Sequence, residues 1–245
     1  MKCSPCIEPL EDKQKSQPFP TTGVLKNNSN LELKNLLDEL HTEHGAVYLY
    51  IVDTVERNGE QFVQTGSAPN FQGDLITLCT CKHWMRTFMD ADDWKGKWIA
   101  GFCNLKAGGN GNALVYLMKV KDAFESHRDL WYSSDITEKT RHAKSAHTNR
   151  FGDMFRPRNK QIDPFNHRSY EPPIQDPVHV HMKSNKWHED ICYVGCSRRH
   201  PALLEGDPIL SYMWNKPLFY FSSKLHRGQK RLQLQQFLSQ LKDGN

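Results

Sequence analysis

AVYLYIVDTV, Ala46 to Val55, is rich in β-branched and aromatic residues and reads as a buried strand. ITLCTC (Ile76–Cys81) and KWIAGFC (Lys97–Cys103) are two further apolar stretches of strand length. GGNGN (Gly108–Asn112) reads as a turn, and ALVYLMKV (Ala113–Val120) resumes as a strand. DPILSYMWNKPLFYFSS (Asp207–Ser223) has strand character again, with Pro217 fitting a turn. The buried positions expected from these runs are Val47, Leu49, Ile51, Leu78, Ile99, Val115, Leu117, Ile209 and Leu210.

Helices frame the strands. Leu33, Leu36, Leu37 and Leu40 recur at helical spacing, Ser29 or Asn30 can cap, and Gly45 stops the helix, which is placed at 31–44. DAFESHRDLWYSS reads as a helix from near Asp122. The C-terminal run, with Leu234, Phe237, Leu238 and Leu241 on one face, reads as a helix over 229–242. The sum is an α+β fold: a curved, mostly antiparallel sheet or partial barrel of five to seven strands. Residues 1–29 read as a flexible extension and 30–245 as one domain. Within it, 140–200 is an irregular insertion or lid, since loops of that length persist mostly where they function.

At 245 residues the chain can bury a sizeable core. No apolar run approaches the roughly 20 residues of a membrane helix, and the N-terminus lacks the apolar core of a signal peptide. The expectation is a soluble, cytoplasmic protein with no membrane partner. A net charge of +4 advertises no strong overall field. Arg141, Lys144, Arg150, Arg156, Arg158, Lys160 and Arg168 nevertheless cluster against only Asp153 and Asp163. Such a cluster contacts phosphates or is a solvated basic loop.

Seven cysteines, an odd number, in a reducing compartment argue against a disulfide framework. Cys3 with Cys6, Cys79 with Cys81 and His83, Cys192 with Cys196, and His179, His181, His188 and His200 are the possible metal ligands. Structural zinc wants closely spaced ligand pairs on turns. Cys79 and Cys81 instead alternate on an apolar run and read as core thiols. No cofactor is assigned; zinc would have to use Cys192 and Cys196 with nearby histidines. A Cys81 thiolate nucleophile would need an activating base, and adjacent strand residues point to opposite faces. GGNGN lacks the lysine of a phosphate-binding loop.

Polar residues bracket the strands. Asn70 precedes ITLCTC, Lys82 and Arg86 follow it, and Asp153 and Arg156 sit in FGDMFRP. With Tyr220 they form the expected ligand site, ITLCTC being an inner strand with Asn70, Lys82 and Arg86 at its ends. Stacking on aromatic faces, amide or carboxylate bonds to base edges, and cations at phosphates are how bases are gripped. The alternative for the aromatics is ordinary core packing.

SAPNFQGDLITLCTCKHWMR resembles the start of the nucleotide modification associated domain 2 family. KGKWIAGF, LVYLMKV, FGDMFRP and DPILSYMWNKPLFYFSS resemble later family segments in the same order, over roughly 46–225. Lys97 stands where the family has Asp, and Met154 replaces the Asn of its turn. The resemblance implies phage or bacterial systems that make or recognise modified bases, a nucleotide-modification or defence context. GKWIAGF and LVYLMKV also look like the PUA, EVE and ASCH barrels, a likeness of fold alone. The resulting expectation is a protein that binds a nucleotide or a modified base in nucleic acid. The alternative is an enzyme of nucleotide modification or nucleic-acid cleavage, with Asp153 as base or metal ligand and Lys82 or Arg156 at the phosphate. A scaffold for partner proteins is a third class.

Overall fold

The computed structural model describes residues 19–20, 23–64, 68–145, 153–171, 180–181, 184–185, 189–196, 198–225 and 230–244. Cys3, Cys6, His179 and His188, and most of the 1–29 extension, lie outside them. In chain order the first elements are α1 (Val24–Asn27), α2 (Leu33–Glu39), β1 (Ala46–Val52), β2 (Val55–Asn58), β3 (Gln61–Gln64) and β4 (Thr77–Leu78). Next come α3 (His83–Arg86), α4 (Ala91–Trp94), β5 (Trp98–Cys103), α5 (Leu105–Gly108), β6 (Leu114–Phe124), α6 (His127–Trp131) and α7 (Glu138–Ser145). The last are β7 (Val180–His181), β8 (Ser184–Asn185), α8 (Glu189–Cys192), β9 (Leu203–Met213), β10 (Phe219–Phe221), β11 (Lys230–Gln233), α9 (Leu234–Leu238) and β12 (Leu241–Asp243).

The architecture is α+β. One six-stranded sheet runs in the order β11-β1-β5-β6-β9-β4; β1 and β5 are parallel and the other neighbours antiparallel. The sheet is open, with β11 and β4 at its edges, and does not close into a barrel. Because β1 is buried on both faces, its side chains alternate between two cores. Val47, Leu49 and Ile51 join Leu36 and Leu40 of α2 and Leu234, Phe237 and Leu238 of α9. Tyr48, Tyr50 and Val52 face the other way, with Ile99, Tyr116, Met118, Phe71 and Trp94. No helix of the described residues is long and apolar enough to cross a membrane.

Several local expectations are corrected. The C-terminal helix is five residues long and flanked by strands: β11 pairs with β1 and β12 with β10. The outer edge of β1 carries unpaired backbone groups, and pairing them outweighs the helical spacing of the leucines. Leu241 is still buried, from a strand. The 31–44 helix is confined to Leu33–Glu39, with Leu36 and Leu40 buried and Leu37 exposed. The helix expected from Asp122 starts at His127, because β6 runs on to Phe124 against Leu203 of β9. Ile209 is 72% exposed and Leu210 half-buried. Met118 pairs with Ser211 and Val120 with Gly206, so residues 207–210 loop out, held by Asp207 accepting from the Ile209 and Leu210 amides.

ITLCTC is not an inner strand. Only Thr77 and Leu78 pair, at the sheet's edge, because the next two amides, Cys79 and Thr80, donate to the Asp153 carboxylate. The extension and the irregular segment are anchored where they are described. Leu25 of α1 is fully buried, and Phe19 stacks on Phe71 with ring centroids 5.0 Å apart. Phe155, Tyr170 and Ile191 form a small satellite core.

Candidate functional site

Tyr50, Gly101 and Tyr116 are direct cross-strand partners on β1, β5 and β6. A Cβ at Gly101 would lie 2.1 Å from Tyr116 Cε1 and 2.7 Å from Val52 Cγ2. Glycine therefore lets the Tyr116 ring lie over the middle strand. There the Tyr116 and Tyr50 hydroxyls meet at 2.7 Å. The β5–β6 register shifts beside this point, between Gly101 and Phe102, a bulge of the kind that re-aims a side chain. Burial, and then the neighbouring tyrosine, holds the Tyr50 hydroxyl well above its ordinary range, and burial does the same for Tyr116. At neutral pH both are hydrogen-bonding phenols, not phenolates.

The segment from Ala68 to Arg86 walls this pair. A cis peptide joins Ala68 to Pro69, and the Pro69 carbonyl accepts from Gln64 Nε2 at 2.7 Å. Asn70 is fully buried: its backbone bridges to Thr77 and its Oδ1 accepts from the Gln72 amide. Lys82 has φ +58°, a left-handed conformation costing a lysine about 1–2 kcal/mol. It places Nζ 5.1 Å from the centroid of the Tyr50 ring while α3 begins at the next residue. Strain of this kind gathers at working sites.

Asp153 is fully buried. Its Oδ1 accepts from Cys79 N at 2.7 Å, Thr80 N at 3.1 Å and Thr80 Oγ1 at 3.3 Å. Its Oδ2 has no partner among the described residues, nor has Asn70 Nδ2 or Gln64 Oε1. The charge of Asp153 reaches Tyr50, Tyr116, Cys79, Cys81, Arg86 and Lys144, which makes it the hub of the cluster. A buried polar atom without a partner costs about 1–3 kcal/mol, so such atoms together call for an explanation.

Arg86 is fully buried, and its guanidinium donates to the carbonyls of Cys81, Pro201 and Ala202, tying α3 to the start of β9. Nη2 is left over, and burial lowers its pKa. Lys144 of α7 is equally buried and donates to the carbonyls of Asn70 and Leu75. Burial lowers its pKa to about 8. Thr140 donates to Gly73 O, so α7 clamps the loop that carries Asn70. His83 is hydrogen-bonded to Asp190 and stacked on Tyr193.

Of the six expected residues, Lys82 and Asp153 lie at the tyrosine pair, Arg86 lies near Asp153, and Asn70 is bound to Lys144. Arg156 does not join them: it is exposed and 3.7 Å from Glu171. Tyr220 sits on β10, and its hydroxyl donates to Gly108 O near the GGNGN turn. Tyr50, Tyr116 and Gly101 were not picked as site residues from the sequence, and Lys144 entered only as one of a run of basic residues. A glycine inside the strand WIAGF was the available signal for a close approach.

Cys79 and Cys81 are poor nucleophiles. Burial, then Asp190 and Asp153, pushes Cys81 up to about 12, and burial raises Cys79 well above its ordinary range. Among the described residues no three His, Cys, Asp or Glu side chains are placed to hold a metal. With iodoacetamide at pH 8, the exposed Cys192 and Cys196 are expected to alkylate within minutes, and Cys79, Cys81 and Cys103 to stay unmodified in the folded chain. Peptide mapping by mass spectrometry reads this directly; rapid labelling of Cys81 would show an activated thiol at the site.

No curated protein and no solved structure matches the chain. Residues 46–201, from β1 to the residue before the Ala202–Leu203 entry to β9, match the family model of nucleotide modification associated domain 2. That span contains the tyrosine pair, Gly101, Lys82, Arg86 and Asp153. The chain belongs to the nucleotide modification associated domain 2 family.

Proposed function

We propose that the chain binds a nucleotide, or a modified base in nucleic acid, at the Tyr50–Tyr116 cluster. The observation that carries this is the cluster beside Gly101, where two neutral tyrosines meet near the Lys82 cation and a carboxylate oxygen without a partner. An aromatic face stacks on a base, Asp153 Oδ2 accepts from a base N–H, Asn70 Nδ2 donates to a base carbonyl, and Lys82 reaches a phosphate. Because Asp153 is held through Oδ1, its remaining oxygen is fixed in place, as recognition of a base edge requires. The family's association with nucleotide modification supports this chemistry. The phage or bacterial modification and defence setting is part of the same proposal.

An enzymatic reading keeps Asp153 as base and Lys82 at the phosphate, and it is favoured by one further observation. The His83–Asp190 pair follows Lys82 directly and could orient a proton-transferring imidazole. Turnover assays on nucleotides and modified DNA separate this reading from binding alone.

Lys82→Met tests the assignment of the phosphate. The wild-type chain should bind nucleoside 5′-monophosphates more tightly than the nucleosides. The variant should lose about tenfold or more for the monophosphates and little for the nucleosides, since a charge-assisted bond contributes about 1.5–3 kcal/mol. Equal monophosphate affinity in both proteins would remove Lys82 from the site.

A further inference from the structure

α3 and the turn that follows it carry two kinds of side chain. Met85 and Arg86 are buried beneath it, whereas Trp84 is 57% exposed and Phe88, four residues on, is 38% exposed. The two rings meet edge to face at 4.5 Å, so they form one aromatic surface. The left-handed turn at Lys82 makes this arrangement possible: Lys82 points to Tyr50 while Trp84, two residues later, faces water. Two residues span at most about 7 Å, so the backbone of this surface lies next to that of Lys82 at the proposed site.

Gly195 and Arg199 pack against the same place. A Cβ at Gly195 would meet Thr87 Oγ1 at 2.7 Å, and Arg199 Nη1 donates to Phe88 O at 3.5 Å. Val194 is 49% exposed beside it. Arg199 pairs with Asp90 at 2.6 Å and offsets that charge. Arg198 is exposed close by and adds a cation to the rim of this face. Exposed aromatic rings among cations are poor company for water and good company for unpaired bases on a phosphate chain.

We infer that Trp84 and Phe88, flanked by Arg198, are a stacking platform for the nucleotide next to the bound base, so that the ligand is an unpaired polynucleotide strand. This rests on the reading of the Tyr50–Tyr116 cluster as a base site and names its substrate class. A base buried at Tyr116 has left any duplex stack, and its neighbour in the strand then has an open face to lay on Trp84. Duplex bases have no such face to offer.

The test measures affinity for a mixed-sequence single-stranded decamer, as DNA and as RNA, its duplex, and the nucleoside 5′-monophosphates. The proteins compared are wild type, Trp84→Ala, Phe88→Ala and Asp153→Asn. Trp84→Ala should weaken single-strand binding about tenfold and monophosphate binding less than about twofold, since stacking contributes about 1–3 kcal/mol per base. The single strand should quench indole emission more strongly in the wild type than in Trp84→Ala, since Trp84 is exposed, whereas Trp94, Trp98 and Trp214 are buried and Trp131 is half-buried. Unchanged single-strand affinity in Trp84→Ala, duplex binding as tight as single strand, or no single-strand binding by the wild type overturns the inference. Should Asp153→Asn abolish monophosphate binding while Trp84→Ala changes nothing, only the platform falls and the base site stands. If Asp153→Asn leaves every affinity unchanged, the site reading itself fails.

Discussion

Gly101→Ala should lower the melting midpoint by about 2–8 °C and loosen the tyrosine pair, although alanine is the better strand residue. Two effects compete. Replacing glycine by alanine restricts the unfolded chain and stabilises by about 0.4–1 kcal/mol where the backbone allows it. Against this, the new methyl would sit 2.1 Å from Tyr116 Cε1. The ring cannot swing aside cheaply, because it is fully buried, packs edge-on against Phe71 at 5.7 Å and bonds Tyr50. Overpacking costs about 1–3 kcal/mol, and a 245-residue chain shifts by about 2–4 °C per kcal/mol, so overpacking wins. Gly101→Val should be worse. Tyr116→Ala together with Gly101→Ala should recover part of the loss, which a double-mutant cycle by thermal melting would show as coupling. A variant that melts above the wild type would mean that the tyrosine is not held over Gly101.

Asp153→Ala should be the most damaging single change, costing about 3–5 kcal/mol and lowering the melting midpoint by roughly 6–20 °C. It strands the Cys79 and Thr80 amides, whose bonds to Oδ1 end β4, and a buried donor without a partner costs about 1–3 kcal/mol. Asp153→Asn is milder. Its amide oxygen can still accept from Cys79 and Thr80, and the substitution turns the remaining oxygen into an N–H donor. The two variants therefore separate the fold's need for Asp153 from the ligand's.

The sheet was legible because β1, β5 and β6 are continuous apolar runs bounded by turns, and burial on both faces leaves just that pattern. The C-terminal strands were not, since LQLQQFLSQLK has helical spacing and only the open edge of β1, nearly two hundred residues away, makes Lys230–Gln233 a strand. Ile209 misled for a similar reason: nothing local announces that residues 207–210 loop out of β9. At the candidate site, Lys82 and Asp153 could be picked out as polar residues bracketing strands. Tyr50 and Tyr116 could not, because their meeting depends on the register of three strands and on the missing side chain at Gly101. Lys144 read as one of a run of basic residues, yet it is buried against Asn70 and Leu75. Burial of a charge is decided by what the fold lays over it, which a charge count does not contain.

Calorimetric titration of wild type and Asp153→Asn with nucleoside 5′-monophosphates carrying unmodified and modified bases tests the base site most directly, with melting curves recorded on the same samples. The account predicts that the wild type binds at least one of them, while Asp153→Asn melts within a few degrees of it, as a change of about 1 kcal/mol allows, and binds that nucleotide about a hundredfold more weakly or not at all. Affinity unchanged in a well-folded Asp153→Asn, or no binding of any of these nucleotides by the wild type, would contradict it.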